Sequence, residues 1–389
     1  MNYDVVIVGG GVMGSSTAYH LLKADPSLSV AVFERDSSYT NASTVLSDGN
    51  VRTQFNLEEN IRISQYTLEI LKTFSDDMEV SASRPVVTAR QQGNLFLVDA
   101  AGKSDAIAGM ETQQSLGCNV EWLNADHIGE LYDKYQPIGI VGGTLGHDDG
   151  SIDPTALLRG YRGKAADLGA EYVESDASNL IADDSKMRGL RLMSGEEIRC
   201  GRVVLTAGAW SAALAAGIGI ELPVKPLMRT VYVVSTPFQS EGLPSVFLPG
   251  GIYAISESDN IWLMGWSRPE DPEGFDFVPG SRQRFEDLIW PDLVAHLPAF
   301  ERLQVERSWA GLYAVNTLDG NAILGEWPTT YGLFLATGFS GHGLQQAPAV
   351  GRYLAELILE APHELDLHRL GGQRVLDKEP LHEHVGRII

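Results

Sequence analysis

The sequence predicts an α/β protein into which a β-rich second domain is inserted. Three observations carry that expectation. Strand, glycine turn and helix follow one another at the start ("VVIVGGGVMGSSTAYHLL"), the middle ("VVLTAGAWSAALAAG") and the end ("LATGFSGHGLQQAPAVG"). The short apolar run Asp4–Val8 suits a strand buried on both faces of a parallel sheet. Between these segments lie two stretches of short strands and turns, one from about Arg84 and one from Arg229 to Trp266.

The elements follow in order. Ser15–Leu22 has helical spacing and Ser27–Asp36 reads as a second parallel strand, which completes a βαβ unit. Ile61, Tyr66, Leu68, Leu71 and Phe74 mark an amphipathic helix over Glu58–Phe74. Pro154 stands at the start of a further helix, where its missing N–H costs nothing. "TVYVVSTP", "GGIYAIS" and "NIWLMGWS" read as strands, and the last α/β stretch begins near Trp309. The expected division is a discontinuous nucleotide-binding domain over 1–83, 146–225 and 309–389. A substrate-binding domain takes 84–145 and 226–308.

Composition narrows the function. With 29 basic and 51 acidic residues the net charge is -22, and the pI is near 4.7. That balance repels nucleic acid, whose phosphates attract basic surfaces. Hydrophobic content of 44% is that of a globular chain. No apolar run approaches the about 20 residues that span a bilayer. Cys118 and Cys200 form neither a metal cluster nor a disulfide framework and fit a reducing compartment. The first strand begins too close to Met1 for a signal peptide, so a cytoplasmic location is expected.

Gly9, Gly11 and Gly14 form G-x-G-x-x-G between a strand and a helix. The first glycine permits the tight turn, the second lets backbone approach a pyrophosphate, and the third lets helix pack on strand. The first helical N–H groups, at Val12 and Met13, would face that pyrophosphate. Glu34 closes the second strand 20 residues after Gly14, with Arg35 beside it. A carboxylate there accepts from ribose hydroxyls and disfavours a 2′-phosphate, leaving FAD or NAD.

Four segments then resemble the D-amino-acid oxidase and monomeric sarcosine oxidase superfamily of FAD-dependent amine oxidoreductases. They are "VVIVGGGVMGSS…VAVFERD", "DDGSIDPTALL", "VVLTAGAWS" and "LATGFSGHGLQQAP". Ala42–Asn60 resembles the sarcosine-oxidase-like branch, and still more a branch containing a mitochondrial respiratory-complex assembly flavoprotein. The resemblance implies a glutathione-reductase-like Rossmann domain with an antiparallel-sheet substrate domain inserted. It also implies FAD lying extended, with its phosphates at the first glycine turn and its flavin at the last. Gly311, where many members carry a flavin-linked cysteine, makes non-covalent FAD the expectation. Cofactor contacts carried over by position are Ser43, Thr44, Ala177, Gly208, Gly311, Gly338, Ser340, Gly341, His342, Gly343, Leu344 and Gln345. A helix starting near His342 would aim its positive end at the flavin edge that collects charge on reduction.

In that family an amine gives a hydride equivalent from its α-carbon to the flavin, and the imine hydrolyses afterwards. The resemblance assigns Arg52 to the site and Tyr313 to the wall of the substrate chamber. His342 is placed beside the ring, and Tyr253 and Trp266 on the strands that roof it. Three departures stand against a plain copy of the family. Gly311 occupies the position of a flavin-linking cysteine, and Leu263 that of a lysine that helps oxygen accept electrons. Phe55 and Gln345 occupy positions of a carboxylate clamp. The expected substrate is therefore a secondary or N-substituted amine, an amino acid or a derivative of one. Its electrons pass to oxygen or another acceptor, with a dehydrogenase favoured. The alternatives are a D-amino-acid or glycine oxidase-like enzyme and a flavoprotein that serves in assembly or as a scaffold. No metal site is expected.

Overall fold

The computed structural model describes residues 3–383 apart from Ala82 and Pro269, so the last six residues of the expected 309–389 segment lie outside the described residues. A six-stranded sheet forms one half. Its order is Ile323–Glu326, Leu333–Thr337, Val203–Leu205, Val5–Val8, Val30–Glu34 and Glu171–Glu174. All neighbours are parallel except the first pair. Val5, Val6 and Ile7 are fully buried, as a strand covered on both faces requires.

Helices Val12–Ala24, Pro154–Asp167 and Gly343–Ile358 cover one face, joining their apolar sides to Val5, Ile7 and Val32. Asp153 caps the second of these helices by accepting from Thr155 N and Ala156 N, and Pro154 follows at its first position. The other face carries a three-stranded meander, Ala177–Asp183, Lys186–Leu192 and Glu197–Arg199, with the short helix Ser211–Ala216. The helix expected over Glu58–Phe74 runs Glu58–Asp77. No described helix is long and apolar enough to cross a membrane.

The second half is an eight-stranded sheet. Its order is Gln304–Asn316, Val224–Ser235, Ile261–Trp266, Ile252–Ser258, Ser245–Phe247, Asn94–Val98, Gly142–Gly146 and Val120–Asn124. It is antiparallel but for Ser245–Phe247 beside Asn94–Val98. One face packs on the helical turns of residues 285–300. The other carries Phe96, Val231, Phe247, Tyr253 and Leu263 and looks toward the first half.

The strand Gln304–Asn316 pairs with Val224–Ser235 along its whole length, from Asn316↔Val224 to Arg307↔Val233 in one register and, past a one-residue bulge, on to Gln304↔Ser235. The boundary expected at Trp309 therefore falls inside a continuous strand. The chain rejoins the six-stranded sheet only at Ile323. Apolar content alone could not place that return, because strands of either sheet read alike.

Candidate active site

Each glycine of the N-terminal turn does a separate job. Gly9 has φ +100°, and a Cβ there would meet Thr206 O at 2.6 Å. A Cβ on Gly14 would come within 2.0 Å of Gly9 O, so only glycine lets helix and strand approach this closely. On Gly11 it would meet only Thr44 Oγ1, at 3.3 Å, because this glycine faces a cavity. Val12 N–H donates to Thr44 Oγ1 at 3.2 Å, while Met13 N–H has no intrahelical acceptor. The Glu34 carboxylate accepts Gly10 N–H at 2.8 Å and Asp36 N–H at 3.1 Å, which aims it at the turn.

That cavity, of about 480 Å³, runs from Glu34 past Gly9, Gly11, Val12 and Met13 to Tyr313. Arg35, Ser43, Thr44, Ala177, Gly208, Gly311, Ser340, Gly341, Gly343 and Leu344 also line it. Its length, the helix N-terminus at its middle and the ribose-type carboxylate at one end fit an extended dinucleotide. Ser43 spends its hydroxyl proton on Leu312 O, at 2.7 Å, so only its backbone can donate to a phosphate. Gly208 has φ +53° and Ala177 begins the meander, and both stand at the Glu34 end with Met193 and Trp210. The Arg35 guanidinium lies 3.5 Å from the centre of the Trp210 ring. Trp210 was legible as the residue after "GA" in the middle glycine turn, but only tertiary contact makes it part of this wall.

At the opposite end Gly338, Ser340 and Gly341 all take left-handed φ, at +71°, +50° and +102°. A Cβ on Gly341 would come within 2.4 Å of the Tyr313 ring, so this glycine gives the phenol its place. Ser340 Oγ accepts Asn316 N–H at 3.0 Å, which holds the turn against the long strand. The helix Gly343–Ile358 begins here, capped by the backbone at His342.

Several expected residues stand beside the cavity and do not line it. The His342 ring points away, and its Nε2 lies 3.0 Å from Arg52 Nη2. Because guanidinium only donates, Nε2 is the acceptor and the proton is on Nδ1. Removal from water, with the Arg52 charge added, pushes this imidazole down to about 3, so it is neutral. Arg52 is buried, and its guanidinium lies 4.6 Å from the Phe55 ring centre and 5.5 Å from that of Phe96. Phe55 thus faces Arg52 as an aromatic platform. Gln345 is buried with Oε1 accepting Arg52 N–H at 2.7 Å, so its amide positions Arg52 and is not a free clamp.

Tyr253 is buried beneath the roof, its hydroxyl bonded to the Asp48 carboxyl. Trp266 is the misplaced member of the set. It belongs with Trp262 and Met264 on the face of the sheet away from the cavity, its indole donating to Gly250 O at 2.7 Å. Side chains alternate along a strand, so Leu263 and Gly265 take the cavity side and Trp266 cannot.

Two residues that sequence reasoning missed complete this end. Arg229 lines the cavity opposite Gly311 and sits 5.4 Å from the Tyr313 ring centre. Its Nη1 pairs with the buried Asp271, which also pairs with Arg284. Its Nε–H is buried with no acceptor among the described residues. Asp48 also lines the cavity. Burial raises its carboxyl, against the opposing pull of Asn50 N–H, Tyr253 and Arg52. Burial, reinforced by the Asp48 charge, likewise raises Tyr313, which stays a neutral phenol.

Neither cysteine lines the cavity; both are buried and free. Gly311 has no side chain to reach a flavin, so at this position the cofactor is held without a covalent bond.

Comparison with known proteins shows the family. FAD-dependent oxidoreductase domain-containing protein 1 of Bos taurus is 34% identical, over 92% of this chain and 81% of its own. Glycine oxidase of Bacillus licheniformis is 26% identical, over 92% of this chain and 94% of its own. The crystal structure of L-proline dehydrogenase from P. horikoshii superposes with a TM-score of 0.86 at 24% identity, covering 98% of this chain and 99% of that one. Residues 4–357 match the DAO family of FAD dependent oxidoreductases, and the chain belongs to that family.

Proposed function

We propose that this chain oxidises the C–N bond of a secondary or N-substituted amine, an amino acid or a derivative of one. The observation that carries the reading is the orphan Nε–H of Arg229 in the wall of the flavin end, beside the neutral Tyr313 phenol. A buried donor without a partner costs about 1–3 kcal/mol, and a ligand carboxylate would remove that cost. Such a bond is charge-assisted and fixes one end of the substrate.

Bound FAD supplies the acceptor for the hydride. The protein's part is to hold the amine's α-carbon against it, with water excluded. Arg229 and Tyr313 would orient the carboxylate. Val231 and Leu312 provide apolar lining. The N-terminus of Gly343–Ile358 adds a partial positive charge where reduction collects negative charge. Neutral His342 takes a hydrogen bond from Arg52 and keeps that cation oriented without adding a second one.

A primary amine, as in a glycine or D-amino-acid oxidase, is the second reading, and the relatives named glycine oxidase favour it. Anaerobic mixing of the yellow holoenzyme with N-methyl, N-alkyl and primary amino acids decides between them. Bleaching of the flavin by N-substituted members first is the expected result. Preference for primary amines selects the second reading. An unbleached flavin across the panel rejects both and leaves an FAD-holding assembly or scaffold role. Colour released on acid precipitation checks the non-covalent attachment.

A further inference from the structure

A second cavity, of about 590 Å³, adjoins the first and is unused by the reading above. The two share one wall, Leu46–Asp48. On the long strand, Trp309 lines the second cavity while Gly311 and Tyr313 line the first, since every other residue faces the same side. Leu46 is wedged between them. Trp309 Nε1 donates to Leu46 O at 2.9 Å, and the Cβ position of Gly311 lies 3.1 Å from Leu46 Cβ. The indole is therefore one residue away from the cofactor cavity.

The lining of this second space points to a ligand class. Leu263, Ile152 and Pro154 are apolar, and the half-buried Trp309 offers a flat face. Arg307 lies 5.3 Å from the Trp309 ring centre and has no ion-pair partner among the described residues. By contrast Arg90, on the same lining, is committed to Glu257. The three carboxylates of the lining are engaged elsewhere, Glu257 with Arg90, Asp153 in capping its helix and Asp48 with Asn50 N–H. A flat molecule with apolar faces and electron-rich oxygens at its edge therefore matches what is left: an indole, an aliphatic floor and the exposed Arg307 guanidinium.

We infer that this second cavity binds a quinone-type electron acceptor and is the exit for electrons from the reduced cofactor. The inference rests on the flavoenzyme reading, though not on which amine reduces the flavin. The step balances: the two carbonyl oxygens of the quinone gain two electrons and two protons and become hydroxyls. The reduced cofactor loses the same two electrons and two protons. Electrons cross the Leu46 wall, and protons exchange through the open side of the cavity. Leu263, an aliphatic side chain with no charge to favour oxygen, stands on this lining.

The test uses holoenzyme whose flavin is reduced anaerobically by light and EDTA, so no amine is needed. Menadione serves as the probe, both for stopped-flow reoxidation and for equilibrium dialysis against oxidised holoenzyme. Reoxidation should saturate with menadione concentration. Arg307→Gln and Trp309→Leu should each weaken menadione binding tenfold or more, while Trp309→Phe, which keeps a flat face, stays within about threefold. Arg307 is exposed, so its variant carries the test if Trp309→Leu fails to fold. Dialysis affinities equal to wild type in Arg307→Gln, or reoxidation linear in menadione with one slope for all proteins, overturn the proposal. So does displacement of menadione by the bleaching amine, which would make this cavity the amine's own.

Discussion

The side-chain oxygen of Gln345 accepts the backbone N–H of Arg52 at 2.7 Å, joining two segments 293 residues apart. The carbonyl of the same glutamine accepts Thr67 Oγ1 at 2.6 Å. The helix at the Tyr313 end of the cavity thereby sets the height of the loop that carries the buried guanidinium. Gln345→Leu would leave a buried N–H with no acceptor, at a cost of about 1–3 kcal/mol. Urea unfolding should register that loss, and flavin reduction by amine should slow as Arg52 drifts. A variant with wild-type stability would mean that the loop stands without this bond.

The glycine turn gives two substitutions with opposite signatures. A Cβ on Gly14 would collide with Gly9 O, Thr206 and Ile7, so Gly14→Ala should lower stability by about 2 kcal/mol or more, with or without cofactor. Gly11 meets only the Thr44 hydroxyl, so Gly11→Ala should fold normally and bind FAD more weakly. Apoprotein melting and FAD titration separate the two. Equal melting losses would break the assignment.

Asp149 gives the clearest pH signature. The carboxylate accepts Thr53 N–H at 2.7 Å, Thr53 Oγ1 at 2.9 Å and Gln54 Nε2 at 2.9 Å, and so braces the Arg52 loop. Burial nevertheless raises it to about 6, above the ordinary carboxylate value. Folding therefore favours the protonated form. This group's contribution is best below about pH 4, falls as pH rises to about 6, and is level above that. Asp149→Asn should gain on wild type between pH 4 and pH 7, by up to about 3 kcal/mol. Parallel pH–stability curves for the two proteins would refute the assignment.

Leu263 is buried on the face that looks toward the cofactor half. Leu263→Lys would place a cation there, where reduced oxygen species are favoured by positive charge. Oxygen consumption per reduced flavin should rise several-fold, with some loss of stability from burying an ammonium. An oxygen electrode on photoreduced enzyme measures this, and an unchanged rate would mean that Leu263 does not set the acceptor.

Local chemistry made much of this molecule legible. The strand, glycine turn and helix of Val5–Ala24, the carboxylate of Glu34 and the second glycine turn at Gly338–Gly341 are short-range patterns. Their physical demands, positive φ and close backbone approach, are written in neighbouring residues. The family could be read from these turns because their backbone geometry, set by glycine, is what a dinucleotide site demands. Side-chain roles were less legible, since they depend on direction. Trp266 faces the wrong side of its sheet by one residue of register, and His342 and Gln345 turn from the cavity to Arg52. Arg229 and Asp48 have no local signature at all; each reaches the cavity wall through long-range strand pairing or loop packing. Short-range pattern was enough for the two glycine turns and for the class of protein. Only the tertiary structure decided which charged side chains meet in the chamber, because contacts between residues hundreds apart depend on register and packing that no local pattern records.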